Sequence, residues 1–519
     1  MKLVTSAEMR ALEAAAVAAG VSERQLMEEA GLAVAQEAWM LLGTLEGRRI
    51  FVLVGPGNNG GDGIVAARHL LDWGADVVIA IPRKRRDNTL IEELAPRELA
   101  IIAGEDDEGF SRISEGMTTA DLVIDALLGI GQARPLDPGE PIAVALQKLR
   151  EARAGYTPPK LIAVDLPTGV DADSGLVDPL TVPPDLTVTF GFPKVGMYQA
   201  PASGVVGRVQ VIDIGIPKDA QESVGLELLT SRWARTALPK RPEDANKGTF
   251  GRVLVVGGSQ RYVSAPRLAA TAAYRAGAGL VTVACPADLV FALAPALAEA
   301  TWLPQGSSES GGLPGETALV LRNEWPAFSA AVFGPGMGND GETRAFTWAA
   351  LPDLAGLTYG AVLDADALNA IAEMDDGPGR VPPKAVLTPH PGEMARLMST
   401  TVADVQSRRL AIAKEAAARY GCVVVLKGAH SVVASPDGRA GLSPFANPLL
   451  ATAGSGDILA GIVGAYLAQG LPPFDAACLG VYVHGATGEA LRLEYGDSGL
   501  LASELADRLP KVVKELRAP

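Results

Sequence analysis

Two glycine-rich loops, each tipped with a carboxylate, lie about four hundred residues apart in this chain of 519 residues. The first reads Gly55-Pro56-Gly57-Asn58-Asn59-Gly60-Gly61-Asp62-Gly63 and the second Ala451-Thr452-Ala453-Gly454-Ser455-Gly456-Asp457. Each stands where a helix should begin. Bare backbone N–H groups and the helix dipole make such a position an anion site. A plain phosphate cradle would avoid negative charge, yet both loops carry an aspartate, Asp62 and Asp457. The pattern implies chemistry on a phosphorylated ligand, at two places.

In the first loop, Gly55-x-Gly57-x-x-Gly60 matches the dinucleotide fingerprint. The acidic residue expected at the end of the next strand is missing, and Pro82-Arg83 stands there. Asn58 and Asn59 add side-chain carbonyls, which suit a hard cation or a carboxamide. In the second loop, Gly454-Ser455-Gly456 lets a helix N-terminus approach a transferring phosphoryl group and hold its developing charge. Asp457 is then placed as a base beside the acceptor hydroxyl. Lys427 would supply positive charge near the nucleotide.

The elements that must position these loops form two alternating series. Residues 1 to about 45 read as two helices, with Ser6 and Ser22 as N-caps. Strands are expected at Arg49–Val54, Val77–Ile81, Leu122–Ala126, Leu161–Asp165, Leu186–Phe190 and Val209–Ile212. Their runs are apolar on both faces, as in a covered parallel sheet. A proline-rich, mixed-charge stretch follows, and the boundary is placed at about 225. A second series runs through Arg252–Val256, Leu280–Ala284, Ala330–Phe333, Ala361–Leu363, Ala385–Leu387, Val423–Leu426 and Ser431–Ala434. Its last two strands read as a hairpin around Lys427–His430. The fold class is α/β, as two unrelated tandem domains, 1–225 and 226–519.

Composition limits the function. The net charge is −15, which argues against a broad nucleic-acid footprint. The one basic run, Arg83-Lys84-Arg85-Arg86, is expected to be a solvated loop, with a local phosphate contact as the alternative. Cys285, Cys422 and Cys478 fit no disulfide framework or zinc site, so a reducing, cytoplasmic setting is expected. No apolar run is long enough to span a membrane.

Four ordered motifs of the first series resemble the NAD(P)H-hydrate epimerase domain. They are Asn58–Gly63, Asp125-Ala126-Leu127-Leu128-Gly129, Asp165-Leu166-Pro167-Thr168-Gly169 and Phe192-Pro193-Lys194-x-Gly196. The resemblance covers residues 1 to about 217 and implies a Rossmann-like three-layer αβα domain. It places Asn59, Asp125 and Thr168 around a potassium ion. It assigns Asn58, Asn59, Gly60, Gly61, Asp62, Gly129, Ile130, Gly131, Gln132, Ala133, Arg134, Pro135 and Asp165 to the hydrated nicotinamide nucleotide. Asp165 and Lys194 are the candidate proton-transfer pair. A surface lysine and a turn aspartate are the plainer readings. Thr168 replaces a more usual serine and keeps the hydroxyl.

Five motifs of the second series resemble the NAD(P)H-hydrate dehydratase domain of the ribokinase-like superfamily, over about 228–515. They are Lys247-Gly248-x-Phe250-Gly251, Ala276–Leu280, Gly334–Gly338, Thr388–Glu393, and Lys427-Gly428 with Asn447-Pro448 and the Asp457 loop. Ala265, Gly336, His390 and Asp457 then fall to the hydrate. Lys427, Gly428, Ala429, His430, Ser431, Asn447, Thr452, Ala453, Gly454, Ser455 and Gly456 fall to the nucleotide. Asp364 and Asp366 are read either as capping residues or as magnesium or ligand contacts. Asn246, Ser264, Ala453 and Ser455 depart from the usual pattern without removing a charged group.

The domain order resembles the bifunctional hydrate-repair family. That implies epimerisation of NADHX and NADPHX, followed by dehydration of one epimer at the expense of ADP. Potassium and magnesium are the implied ions, and a homo-oligomer that binds neither nucleic acid nor membrane is expected. The alternatives are a ribokinase-like kinase of a vitamin or sugar with a nucleotide-binding regulatory front domain, and a front domain that only binds.

Overall fold

The computed structural model describes residues 1–97, 99–131 and 135–518. Two compact units are present, Met1–Val224 and Gly225–Pro519.

The first unit is built on seven parallel strands. They are β1 (Arg49–Val54), β2 (Asp76–Ile81), β3 (Ala100–Ala103), β4 (Leu122–Ala126), β5 (Lys160–Val164), β6 (Leu186–Phe190) and β7 (Arg208–Ile212), in spatial order 3-2-1-4-5-6-7. Alternate residues of β1 enter opposite cores. Ile50, Val52 and Val54 pack with the helices Ser6–Ala18, Glu23–Leu42 and Asn58–Asp72. Phe51 and Leu53 pack with Ser111–Thr119 and Pro141–Arg153. A sheet covered on both faces needs such two-sided apolar runs. The first helix is capped by Thr5, one residue before the expected Ser6. Thr5 Oγ accepts from the Glu8 amide, and the Glu8 carboxylate accepts from the Thr5 amide at 2.7 Å. Ser6 instead donates its amide and hydroxyl to Asp173. Ser22 caps the second helix as expected.

The second unit holds ten strands. These are β8 (Leu226–Leu228), β9 (Arg252–Val256), β10 (Leu280–Pro286), β11 (Thr301–Gln305), β12 (Ala330–Phe333), β13 (Gly360–Leu363), β14 (Val386–Leu387), β15 (Val423–Leu426), β16 (Val432–Ala434) and β17 (Ala440–Leu442). Their order is 11-10-9-12-13-14-15-16-17-8. The sheet is parallel as far as β15, then β16 and β17 run antiparallel to their predecessors. The hairpin around Lys427–His430 is thus present. The helix Ser455–Ala468 is apolar all round and packs against Ala265–Arg275 and Pro473–Tyr495. Burial on every side is what such a helix demands. It fixes the direction in which its N-terminal loop points.

Four strands lie outside the expected set: β3, β8, β11 and β17. β3, β8 and β17 are only three or four residues long, too short for periodicity to register. β11 carries Pro304, which reads as a strand breaker. It is tolerated because β11 is an edge strand with no neighbour on one side. All three cysteines are buried thiols. Among the described residues, no helix is long and apolar enough to cross a membrane.

Candidate active sites

Strand order reverses between β1 and β4 in the first unit and between β9 and β12 in the second. Ligands of open α/β sheets bind at the carboxyl ends of strands flanking such points. The two glycine-rich motifs stand at or close to these ends.

The first loop leaves β1 with the Gly55 amide donating to Ala126 O of β4 at 3.0 Å. A Cβ at Gly55 would strike the Leu127 carbonyl, so only glycine lets the loop pass so close to β4. The helix then starts at Asn58 with no side-chain cap, leaving its first amides for an anion. Asp125 at the end of β4 is 2% exposed. Its carboxylate accepts from the Thr168 hydroxyl at 2.7 Å, the Thr168 amide at 3.0 Å and the Leu127 amide at 3.2 Å. Burial still pushes its pKa up despite these bonds. The side chain of Asn59 lies against Gly129, and its buried Oδ1 and Nδ2 have no hydrogen-bond partner. A buried orphan amide beside a buried carboxylate in want of positive charge suits a cation held by oxygens. Asn59, Asp125 and Thr168 are the residues present to hold it. One carboxylate with neutral oxygens fits a large monovalent ion better than magnesium, which keeps its water.

Asp165 sits just past β5 with φ 64°, which ends the strand one residue earlier than expected. Lys194 is 1% exposed. Its ammonium donates to Asp165 Oδ1, to the Thr189 hydroxyl at 3.0 Å and to Phe190 O at 3.4 Å. The surface-lysine reading is therefore wrong. Asp62 and Asn58 line a neighbouring cleft of about 340 Å3 with Arg10, Glu13 and Phe190. Burial, then repulsion from Asp165 and Glu13, raises the Asp62 pKa well above its ordinary value. Glu13 is raised by burial and by Asp165. Glu13 escaped the sequence reading because it lies on an N-terminal helix with no motif around it. Ile130 O accepts from Arg10 at 3.0 Å. Gln132, Ala133 and Arg134 lie outside the described residues.

The basic run divides. Arg85 is 9% exposed and donates to Gly55 O and, at 3.1 Å, to Gly57 O, bracing the first loop. Arg83, Lys84 and Arg86 are exposed. A wholly solvated run is thus a misreading, because the Arg85 guanidinium is held by backbone carbonyls of the glycine-rich loop.

In the second unit, Lys427, Gly428, Ala429 and Ser431 of the hairpin, with Asn447, Thr452, Ser455 and Gly456, line one cavity of about 680 Å3 with His390. Gly454 precedes the helix with φ 86°, a conformation open to glycine at no steric cost. Asp457 follows in the first turn. Burial, then repulsion from Asp364, pushes its pKa up to about 7, against the pull of Lys427. The Lys427 ammonium donates to Asp364 Oδ1 at 2.7 Å and lies 3.8 Å from Glu393 Oε2. Burial opposes its charge, yet Asp364 and Glu393 more than offset this and its pKa rises. Asp364 is more than a cap, since it also accepts from the Thr388 hydroxyl at 2.7 Å. Asp366 accepts from the Gly338 amide at 2.9 Å.

His390 caps the helix Pro391–Met398, with Nδ1 accepting from Gly392 and its ring half exposed on the cavity. His430 is 7% exposed and its Nδ1 pairs with Ser443 O at 3.0 Å, so it props the hairpin and does not line the cavity. Ala265 and Gly336 face each other, and Ser259 Oγ donates to Gly336 O at 2.9 Å. Sequence reasoning missed His484. Its Nε2 lies 3.0 Å from Ser455 Oγ, and burial lowers its pKa to about 4, so it is neutral. It sits mid-helix in an apolar stretch, where a histidine carries no motif. Arg409 was also missed; it donates to Leu426 O and Lys427 O and holds the hairpin.

The two halves match different family descriptions: "YjeF-related protein N-terminus" over residues 23–196 and "NAD(P)H-hydrate dehydratase" over 253–511. A bifunctional NAD(P)H-hydrate repair enzyme of Moorella thermoacetica is 39% identical over 99% of this chain and 97% of that one. One from Thermofilum pendens is 38% identical over 100% and 97%. A solved ADP/ATP-dependent NAD(P)H-hydrate dehydratase of Bacillus subtilis, co-crystallised with ATP and Mg2+, is 32% identical with a TM-score of 0.49, covering 57% of this chain and 100% of that chain. Both repair enzymes align across nearly their whole length and across both sites, so the chain belongs to the family of bifunctional NAD(P)H-hydrate repair enzymes.

Proposed function

We propose that the first unit epimerises the R and S forms of NADHX and NADPHX. The second unit dehydrates the S epimer to the reduced cofactor with ADP as phosphoryl donor, giving AMP and phosphate. The observation that carries the reading is the meeting of Asp364, Glu393 and Asp457 around Lys427, which lines the 680 Å3 cavity beside the start of an uncapped helix. That is a phosphoryl-transfer arrangement, with a base poised near neutrality beside an anion hole. Relatives bearing both halves under one repair name favour this over a kinase with a regulatory front half.

In the second site the C6 hydroxyl of the hydrate attacks the terminal phosphorus of ADP, the bridging P–O bond breaks, and AMP leaves with its electron pair. Asp457 takes the hydroxyl proton, and the helix amides of the Gly454–Gly456 turn hold the charge on the transferring group. The C6–O bond then breaks, phosphate leaves with the electron pair, and loss of a C5 proton restores the ring double bond. Magnesium, when bound, neutralises charge on the nucleotide phosphates. It needs one or two carboxylates, and Asp364 and Glu393 flank Lys427 at the cavity wall.

In the first site Asp165 and Lys194 form a buried acid–base pair that exchanges protons with the C6 hydroxyl during ring opening or hydroxide loss and return. Potassium, when bound between Asn59, Asp125 and Thr168, offsets the buried Asp125 charge and orders the loops facing the hydrate.

The test uses the purified chain with heat-hydrated NADH. Reduced-nicotinamide absorbance should return only when nucleotide is present, and should reach completion from a mixture of epimers. No recovery with either ADP or ATP would overturn the reading.

A further inference from the structure

The first unit has a second cavity that the proposed chemistry does not use. It measures about 430 Å3 and opens at the carboxyl ends of β2 and β3. Pro82, Ala103, Phe110 and Pro141 form its apolar side, and Arg83, Lys84, Asn88 and Glu105 its polar side. The volume lies in the range of small-ligand pockets. Arg85 also lines it, and the same guanidinium braces the carbonyls of Gly55 and Gly57. One residue thus forms a wall shared by the anion-binding loop and this cavity. That shared wall is what would let a dinucleotide with its pyrophosphate on the loop lay its adenosine in the cavity.

The end of β2 decides what kind of adenosine fits. Dinucleotide folds that prefer an unphosphorylated ribose place a carboxylate there to accept its hydroxyl, and an arginine nearby accommodates a 2′-phosphate. Here Ile81 is followed by Pro82-Arg83-Lys84, with no carboxylate. Arg83 is exposed at the rim and forms no ion pair among the described residues. Lys84 has only a loose contact with Glu105, at 3.8 Å and with both side chains largely exposed. That contact offsets the Glu105 charge and breaks at little cost.

We propose that this cavity receives the adenosine half of the hydrated dinucleotide, and that Arg83 and Lys84 make it accept a ribose 2′-phosphate. The proposal rests on reading the first unit as the epimerase. The phosphorylated hydrate, NADPHX, is then the better epimerase substrate.

Two measurements on the full chain test it. Hydrogen exchange with 2′,5′-ADP as probe should protect the backbone of residues 81–88, while 5′-AMP at equal concentration should not. The double variant Arg83→Asp, Lys84→Ala should lose about tenfold in epimerisation kcat/KM for NADPHX and stay within about twofold for NADHX. Both side chains are exposed, and an unchanged melting profile checks that the variant is folded. Absence of protection at saturating 2′,5′-ADP, or equal loss on both substrates, overturns the proposal. If the unmutated chain interconverts neither hydrate, the epimerase reading fails, and the exchange experiment still decides whether the cavity binds a 2′-phosphorylated adenosine.

Discussion

Replacing Asp457 by Asn should abolish dehydration and at the same time stabilise the second unit, increasingly so as pH rises from about 4 to about 7. The carboxyl has an ordinary value near 3.8 and is pushed up to about 7 in the fold, first by burial and then by Asp364. A shift of about three units at about 1.4 kcal/mol each makes the ionised form about 4 kcal/mol less favourable in the folded chain. The sign follows from proton binding. Between the two values the folded state holds a proton that the unfolded state has released, so stability falls as pH rises through this window. The penalty is complete above about pH 7 and absent below about pH 4. Asn mimics the protonated acid and carries no such penalty. The difference in unfolding free energy, variant minus unmutated chain, should be only about 1 kcal/mol at about pH 4.5 and rise towards about 4 kcal/mol at about pH 8. Calorimetric or denaturant melts of the second unit across that range measure it, and groups common to both proteins cancel. In the unmutated enzyme kcat/KM for dehydration should fall about tenfold per unit below about pH 6, because it reports the free-enzyme base. A stability difference that does not change with pH, or near-normal nucleotide-dependent recovery by the variant, would refute both the burial argument and the base assignment.

Lys194→Met leaves Asp165 buried without its partner, and should cost about 3–5 kcal/mol in melting experiments as well as epimerisation; the double variant with Asp165→Asn should regain most of the stability and none of the activity, and a single variant that melts like the unmutated protein would contradict the burial. Asp125→Ala should slow epimerisation and weaken its potassium dependence while dehydration of the correct epimer is unchanged. Chromatographic interconversion rates in potassium and in a bulky organic cation test this, and equal rates in the unmutated protein would sink the ion site. A fragment from Gly225 should fold, whereas one from Ser231 should be less stable and prone to self-association, because it strips β8 from the edge of β17. Identical solubility and melting of the two fragments would show that β8 is dispensable.

The local backbone of both glycine-rich loops was legible in the sequence because it is carried by contiguous motifs. Gly55–Asp62 and Gly454–Asp457 announce their backbone geometry through glycine, and each begins a helix as expected. The two-sided apolar runs announced a covered parallel sheet, since burial on both faces leaves no alternation to hide. What the sequence left open was decided by long-range contact. Lys194 reads as a turn lysine until Asp165, 29 residues away, claims its ammonium. Lys427 reads as charge for the nucleotide until Asp364 takes a share of it from 63 residues away. Arg85 vanishes into a basic run until the carbonyls of Gly55 and Gly57 single it out. Glu13 and His484 stand on helices with nothing around them in sequence to mark a site, and become site residues only because packing turns them into the clefts. Spacing along the chain fixes backbone conformation over a few residues. The pairing of buried charges, and therefore the protonation state on which the chemistry depends, is a property of distances that only the folded chain possesses.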